Sequence, residues 1–245
     1  MAPNRSEGLL AEGIIKNFGA VSVLKNVNFE MRSNEAIGIV GPNGAGKTTF
    51  LSALAGAFVP DSGVISLYGE DVTAKDASER CKLGVVRTHQ IPKPFGGMTV
   101  FENVLVAAFY GVNVDQETAY QYTLDSLSLS GMTEIANRQA ENLGLLDRKR
   151  LELARALATQ PKILLLDEIA GGLTDAEADE LIVTIKELHN RNIGIIWIEH
   201  IVRVLLQVVD RLICMNAGEI IADGDPKTVL NNSQVVSAYL GGAAE

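Results

Sequence analysis

The chain has 245 residues, of which 47% are hydrophobic and 21% charged, with a formal net charge of −9 at pH 7. That length and hydrophobic content exclude a disordered chain and suffice for one large domain, or for a domain carrying a smaller lobe. The acidic balance argues against nucleic acid or anionic lipid as a partner, but not against a nucleotide, whose phosphates are held by local backbone dipoles whatever the global charge.

The opening MAPNRSEGLL has no apolar segment of signal-peptide length. No apolar run reaches the roughly 18 residues that span a bilayer, so a soluble intracellular protein is expected. Residues 9–18 and then 27–31 read as an antiparallel β region, and 36–40, AIGIV, as a short apolar strand. Further strands are expected at 64–68, 83–88, 163–166, 193–198 and 211–215. They alternate with helical patterns, as in an α/β fold with a mostly parallel sheet. Between about 90 and 141 the character changes. Pro92, Pro94, Gly96 and Gly97 make a loop, and 101–110 and 117–129 read as two helices with no strand between them. This predicts a small helical lobe inserted into the α/β core. Thr174 and Glu177 stand at capping-box spacing and open a helix running to about Asn190. Residues 216–218 turn the chain into 219–223, a hairpin expected at the sheet edge. Cys81 and Cys214 lie in apolar stretches outside any metal-ligand spacing, so both are expected as buried thiols.

The run Gly41, Pro42, Asn43, Gly44, Ala45, Gly46, Lys47, Thr48, Thr49 contains G-x-x-x-x-G-K-[ST] between a strand and a helix. Glycines let backbone N–H groups approach phosphate oxygens with no Cβ in the way. Lys47 offers a point charge to the β- and γ-phosphates, the Thr48 hydroxyl a ligand for Mg²⁺, and the helix its positive dipole end.

The apolar run 163–166 ends in Asp167 and Glu168, at the carboxyl end of a strand, where open α/β sheets place ligands. Asp167 is expected to hold the Mg²⁺ shell and Glu168 to polarise an attacking water. The strand 193–198 runs into Glu199 and His200, and His200 is placed to donate to a γ-phosphate oxygen. Gln90 follows the strand 83–88 and is placed to sense the metal or the water. No Asn-Lys-x-Asp guanine reader and no arginine-rich lid is present, which sets aside GTPases and small-molecule kinases.

In this order, the loop 41–49, Gln90, Asp167-Glu168 and His200 resemble the Walker A, Q-loop, Walker B and H-loop of ABC-type ATPases, over nearly the whole chain. RTHQIPKPFGGMTVFENVLVA, ANRQAENL and RKRLELARALATQPKILLLDE look most like the ATP-binding subunits of branched-chain amino-acid importers. DRLICMNAGEIIADGDP and SAYLG near the end are similar too. The resemblance implies a P-loop NTPase core at about 1–90 and 159–245, with an N-terminal antiparallel β region and a helical lobe at about 91–158. ATP and Mg²⁺ would be held by residues 41–49, the metal by Thr48, Gln90 and Asp167. Glu168, His200 and Gln90 would serve catalysis, and Phe18 would stack on adenine. The implied partners are a second ABC ATPase subunit, integral membrane permease subunits and, indirectly, a periplasmic solute-binding protein, with no nucleic acid. The chain would then be peripheral on the cytoplasmic side of the inner membrane. Loop 91–100 and the lobe are expected to receive a cytoplasmic helix of the permease.

One departure stands out. Where the family carries Leu-Ser-Gly-Gly-Gln, this chain reads Leu143, Gly144, Leu145, Leu146, Asp147. The side-chain donor to the partner's γ-phosphate is lost, Asp147 is expected to N-cap the next helix, and a heterodimer with an intact partner is favoured over a homodimer. Ile169 stands where many members have proline, and Thr174 where they have aspartate. The cargo is read as branched-chain or related amino acids or amides. The alternatives are the ATPase of a lipid or polysaccharide exporter and, from another class, a non-transport ABC clamp on nucleic acid or ribosomes.

Overall fold

The computed structural model describes residues 8–241. Readings that fall on 1–7 and 242–245, the N-terminal stretch among them, lie outside the described residues. In chain order come β1 (Gly8–Phe18), β2 (Val21–Arg32), β3 (Ala36–Val40), α1 (Lys47–Leu54), β4 (Ser62–Leu67), β5 (Glu70–Asp71), α2 (Ala77–Lys82) and β6 (Val85–Arg87). Three α-helices follow with no named strand between them: α3 (Val100–Val112), α4 (Gln116–Leu129) and α5 (Leu145–Leu157). The chain then alternates through β7 (Ile163–Asp167), α6 (Asp175–Asn190), β8 (Gly194–Ile198), α7 (Val202–Leu205), β9 (Arg211–Asn216) and β10 (Glu219–Gly224). It closes with α8 (Pro226–Leu230) and α9 (Ser233–Gly241).

The larger sheet has the order β10-β9-β3-β8-β7-β6, parallel throughout except for the β9–β10 hairpin at its edge. Strands β3, β7 and β8 are buried at every position, which is why their sequences are continuous apolar runs. The hairpin turn forms where expected, with Ala217 at φ 46° and Gly218 at φ 88°, the left-handed pair that matches strand twist. The second sheet is antiparallel, β2-β1-β4-β5. Here β4 corrects the sequence reading, because it pairs antiparallel with β1 and does not join the parallel strands. β2 also begins earlier than 27, its mostly exposed first half interrupted by Asn26 at φ 58°.

Apolar side chains from the antiparallel sheet and α1, with Ile37, Ile39, Leu165 and Ile196, fill one face of the parallel sheet. Those of α6 and α7, with Leu164, Leu166 and Trp197, fill the other. A third cluster, including Val100, Val104, Ala108, Leu127, Met132 and Leu151, lies among α3, α4 and α5.

Helix α2 was not anticipated. It opens on a capping box of Asp76 and Glu79, and it shortens β6 because Leu83 caps its C-terminus and Gly84 turns at φ 98°. From α2, Arg80 reaches a fully buried position. Its Nη1 donates to Ala53 O at 2.7 Å and Leu54 O at 2.9 Å, its Nη2 to Thr73 O at 3.1 Å and its Nε to Lys75 O at 3.1 Å. The capping box at Thr174 is formed, and Cys214 is a buried free thiol while Cys81 is half-buried. Among the described residues no helix is long and apolar enough to cross a membrane.

Candidate functional site

Strand β3 delivers the chain at Val40 into the loop, which α1 then leaves at Lys47. Two glycines have no substitute. Gly41 sits at φ 146°, where a Cβ would lie 2.1 Å from Met215 O; Gly46 sits at φ 98°, with Val23 O 2.9 Å from its would-be Cβ. The loop is braced from outside, since Gly218 N donates to Ala45 O at 3.1 Å and Lys25 N to Gly218 O at 2.9 Å. Pro42 lies at its first bend, where its carbonyl accepts from Ala45 N at 3.2 Å. Asn43, Gly44 and Thr48 are exposed and Thr49 is half-buried. Gly46 is the N-cap of α1, with no side-chain cap and no acidic residue in the first turn. The dipole end and amides of α1 therefore remain open to an anion.

Lys47 is buried, and its Nζ donates to Gly41 O at 2.7 Å and Pro42 O at 3.0 Å. Burial lowers its pKa, opposed by the charges of Glu168, Cys214 and Asp167. Burial also pushes the Cys214 thiol, beneath the loop, up to about 11.

At the carboxyl end of β7, Asp167 is 1% exposed and its Oδ1 lies 3.5 Å from Thr48 Oγ1. These are hard oxygen donors of the kind Mg²⁺ takes one or two at a time, with phosphate and water completing the shell. Among the described residues there is no cluster of three His, Cys, Asp or Glu side chains able to hold a metal alone. The Thr48 and Asp167 oxygens fit an ion whose remaining ligands are phosphate and water.

Glu168 takes the left-handed conformation, φ 49°. Its two carboxylate oxygens are both engaged: Gln90 Nε2 donates to Oε2 at 2.5 Å, and His200 Nε2 lies 2.8 Å from Oε1. Gln90, Glu168 and His200 thus meet, although 78 and 32 residues separate Glu168 from its partners. Gln90 and Glu168 line a cleft of about 280 Å³ with Ile91, Pro92, Leu145 and Lys149.

Phe18, at the end of β1, is 51% exposed and stands edge-on to Phe58 with ring centroids 5.8 Å apart. Loop 91–100 is fixed from beneath by buried Asn103, which accepts from Phe95 N at 2.8 Å and donates to Phe95 O at 3.1 Å. The guanidinium of Arg155 lies over the half-exposed Phe95 ring, 5.2 Å from its centroid.

The signature position brings one correction. Gly144, not Asp147, is the N-cap of α5; Asp147 is in the first turn, with its carboxylate 3.9 Å from Arg138. The helix begins at Leu145 because Gly144 already takes the extended cap conformation, φ −67° and ψ 175°.

Several residues near the site belong to none of the motifs. Arg87 contacts Asp167. Lys149 Nζ, buried on α5, lies 3.4 Å from Glu168 O. Glu199, which is 2% exposed, accepts from Ala170 N at 2.7 Å and Trp197 Nε1 at 3.2 Å, and burial pushes its carboxyl up. Arg87 and Glu199 sit at strand ends on the same rim as Asp167, which is the one positional cue that points to them.

Known proteins share this architecture. Residues 24–171 match the ABC transporter family and 219–245 the branched-chain amino acid ATP-binding cassette transporter family. The high-affinity branched-chain amino acid transport ATP-binding protein LivG of Salmonella typhimurium is 39% identical, over 97% of this chain and 100% of its own length. The corresponding BraF of Pseudomonas aeruginosa is 34% identical over 96% and 98%. The lipopolysaccharide export system ATP-binding protein LptB of Haemophilus influenzae is 33% identical over 95% and 97%. Among solved structures, an ATP-binding cassette of an ABC transporter in its ADP conformation superposes with a TM-score of 0.87 at 30% identity, covering 96% of this chain and 99% of that one.

Proposed function

The chain belongs to the ABC transporter family of ATP-binding subunits, and on that premise we propose that it hydrolyses ATP to drive branched-chain amino-acid uptake through a separate membrane permease. The observation that carries the chemistry is the meeting of Gln90, Glu168 and His200 beside the loop 41–49. The cargo reading is supported by the full-length similarity to LivG and BraF, which exceeds the similarity to LptB.

In this reading the loop amides and the N-terminus of α1 cradle the phosphates, and Lys47 turns from Gly41 O and Pro42 O to the β- and γ-phosphates. Thr48 and Asp167, with Gln90, would hold magnesium. When bound there, the ion would supply positive charge to the phosphates. Glu168 orients the attacking water and accepts its proton, while His200 contacts the γ-phosphate. Both leave their mutual contact to do so.

Phe18 stacks on adenine from the end of β1. Its half-exposed ring and its edge contact with Phe58 leave a face for the base. Phe18→Ala is expected to weaken ATP binding by about 1–3 kcal/mol, the range of base–aromatic stacking. A fluorescent ATP analogue measures it, and unchanged affinity in a protein with an unchanged melting curve excludes stacking.

The core at 1–90 and 159–245 binds nucleotide, and the lobe at 91–158 presents loop 91–100 to the permease. The chain is then peripheral to the cytoplasmic face of the membrane, in a complex that a periplasmic binding protein supplies with solute. Its ATPase partner is a second, different subunit with an intact signature, because Leu145, Leu146 and Asp147 offer no hydroxyl and one opposing charge. The test is uptake in the native host. Loss of the chain should abolish high-affinity uptake of radiolabelled leucine, isoleucine and valine, and the wild-type gene should restore it. Undiminished uptake of all three would reject the cargo.

A further inference from the structure

Arg87, Asp167, Ser52 and Thr48, the last through both its hydroxyl and its backbone carbonyl, close a hydrogen-bonded ring at the floor of the site. Arg87 donates through Nη2 to Asp167 Oδ2 at 2.6 Å and through Nη1 to Ser52 Oγ at 2.6 Å. Ser52 Oγ in turn donates to Thr48 O at 2.6 Å, and Thr48 Oγ1 to Asp167 Oδ1 at 3.5 Å. The guanidinium is placed by its end nitrogens alone, its Nε being buried with no hydrogen-bond partner. The two residues assigned above to the metal, Thr48 and Asp167, are therefore tied to each other through an arginine.

We propose that Arg87 is the standing counter-charge of Asp167, filling the electrostatic role of the divalent cation before nucleotide binds, so that metal enters with the nucleotide and not alone. The inference rests on the reading of Thr48 and Asp167 as the metal's protein ligands.

A carboxylate as buried as Asp167 is costly without a cation in contact, and a charge-assisted guanidinium bond at 2.6 Å meets that need. Lys47 does not supply it, because its Nζ is committed to loop carbonyls and burial works against its charge. A guanidinium does not lose its proton at any working pH. Its charge therefore always opposes a bare divalent ion at Asp167 Oδ1, the oxygen that faces Thr48. Nucleotide phosphates reverse that balance by bringing negative charge and further oxygen ligands.

The probe is Mn²⁺, followed by electron paramagnetic resonance on the full chain without nucleotide and with ADP. The wild type should bind Mn²⁺ weakly alone and at least about tenfold more tightly with ADP. Arg87→Gln should strengthen nucleotide-free Mn²⁺ binding by about tenfold or more, and Asp167→Asn added to it should remove the gain. Arg87→Lys, which keeps the charge, should stay within about threefold of wild type. A folded Arg87→Gln protein that binds Mn²⁺ as weakly as wild type overturns the proposal, as does wild-type protein that binds Mn²⁺ equally well with and without ADP. The latter needs no variant to fold. A purely structural Arg87 would lower the melting temperature and leave Mn²⁺ affinity unmoved. Failure of the underlying reading looks different: Asp167→Asn alone would then leave Mn²⁺ binding in the presence of ADP unchanged.

Discussion

Glu168→Gln should reduce ATP hydrolysis by the assembled complex by about 10²–10⁴-fold, the usual worth of a positioned general base, while leaving nucleotide affinity near wild type. The amide keeps the shape of the carboxylate and its contact distance to Gln90 and His200, which are 2.5 Å and 2.8 Å away in the wild type. It removes the negative acceptor for the water proton. The same substitution also reads out asymmetry. In the proposed heterodimer, the phosphate site on this chain meets the partner's intact signature, whereas the partner's site meets Gly144–Asp147. A missing charge-assisted donor costs roughly 1.5–3 kcal/mol, a tenfold to hundredfold loss. Glu168→Gln here should thus be nearly complete in effect, and the matching change in the partner only partial. Steady-state phosphate release decides it: wild-type turnover in the first variant rejects the base, and equal losses in both reject the asymmetry.

Arg80→Met should destabilise the fold by about 3–4 kcal/mol, although Arg80 lies outside the nucleotide site. Its guanidinium serves carbonyls from two separate segments, at the C-terminus of α1 and at residues 73–75. Methionine fills the volume but donates to none, and each buried carbonyl left without a partner costs about 1–3 kcal/mol, partly offset where another donor or water reaches it. For a chain of this size, 1 kcal/mol shifts the melting temperature by about 2–4 °C, so a fall near 10 °C is expected. A thermal melt followed by circular dichroism measures it, and a change below 3 °C would mean the carbonyls are satisfied without the arginine. Because α1 carries the phosphate loop at its other end, nucleotide affinity should drop in the same variant.

The parts of the molecule that read directly from sequence are those with strict local chemistry. The loop from Gly41 to Thr48 is fixed by glycine conformations and a lysine at set spacing. β7 and β8 announce themselves as uninterrupted apolar runs because both faces of the sheet are covered. The hairpin at Ala217-Gly218 and the cap at Thr174 follow from single residues. What stayed hidden depends on tertiary placement. Residues 64–68 read as a strand, but nothing local says which sheet they join. Helix α2 is only six residues, too short to show a period. Asp147 looked like a cap because its residue type suits one, whereas the backbone had already turned at Gly144. Arg87 has only its strand-end position to mark it, because its partner lies 80 residues further along the chain.

The backbone at Glu168 has an evolutionary consequence. A left-handed φ of 49° suits glycine or asparagine, and a residue of ordinary side-chain shape held there costs on the order of 1 kcal/mol. Selection for thermal endurance alone would therefore drift this position away from glutamate. A lineage that keeps glutamate there is holding it against the preference of its own fold, and relaxed selection on turnover should erode this position before it erodes the buried Asp167 next to it.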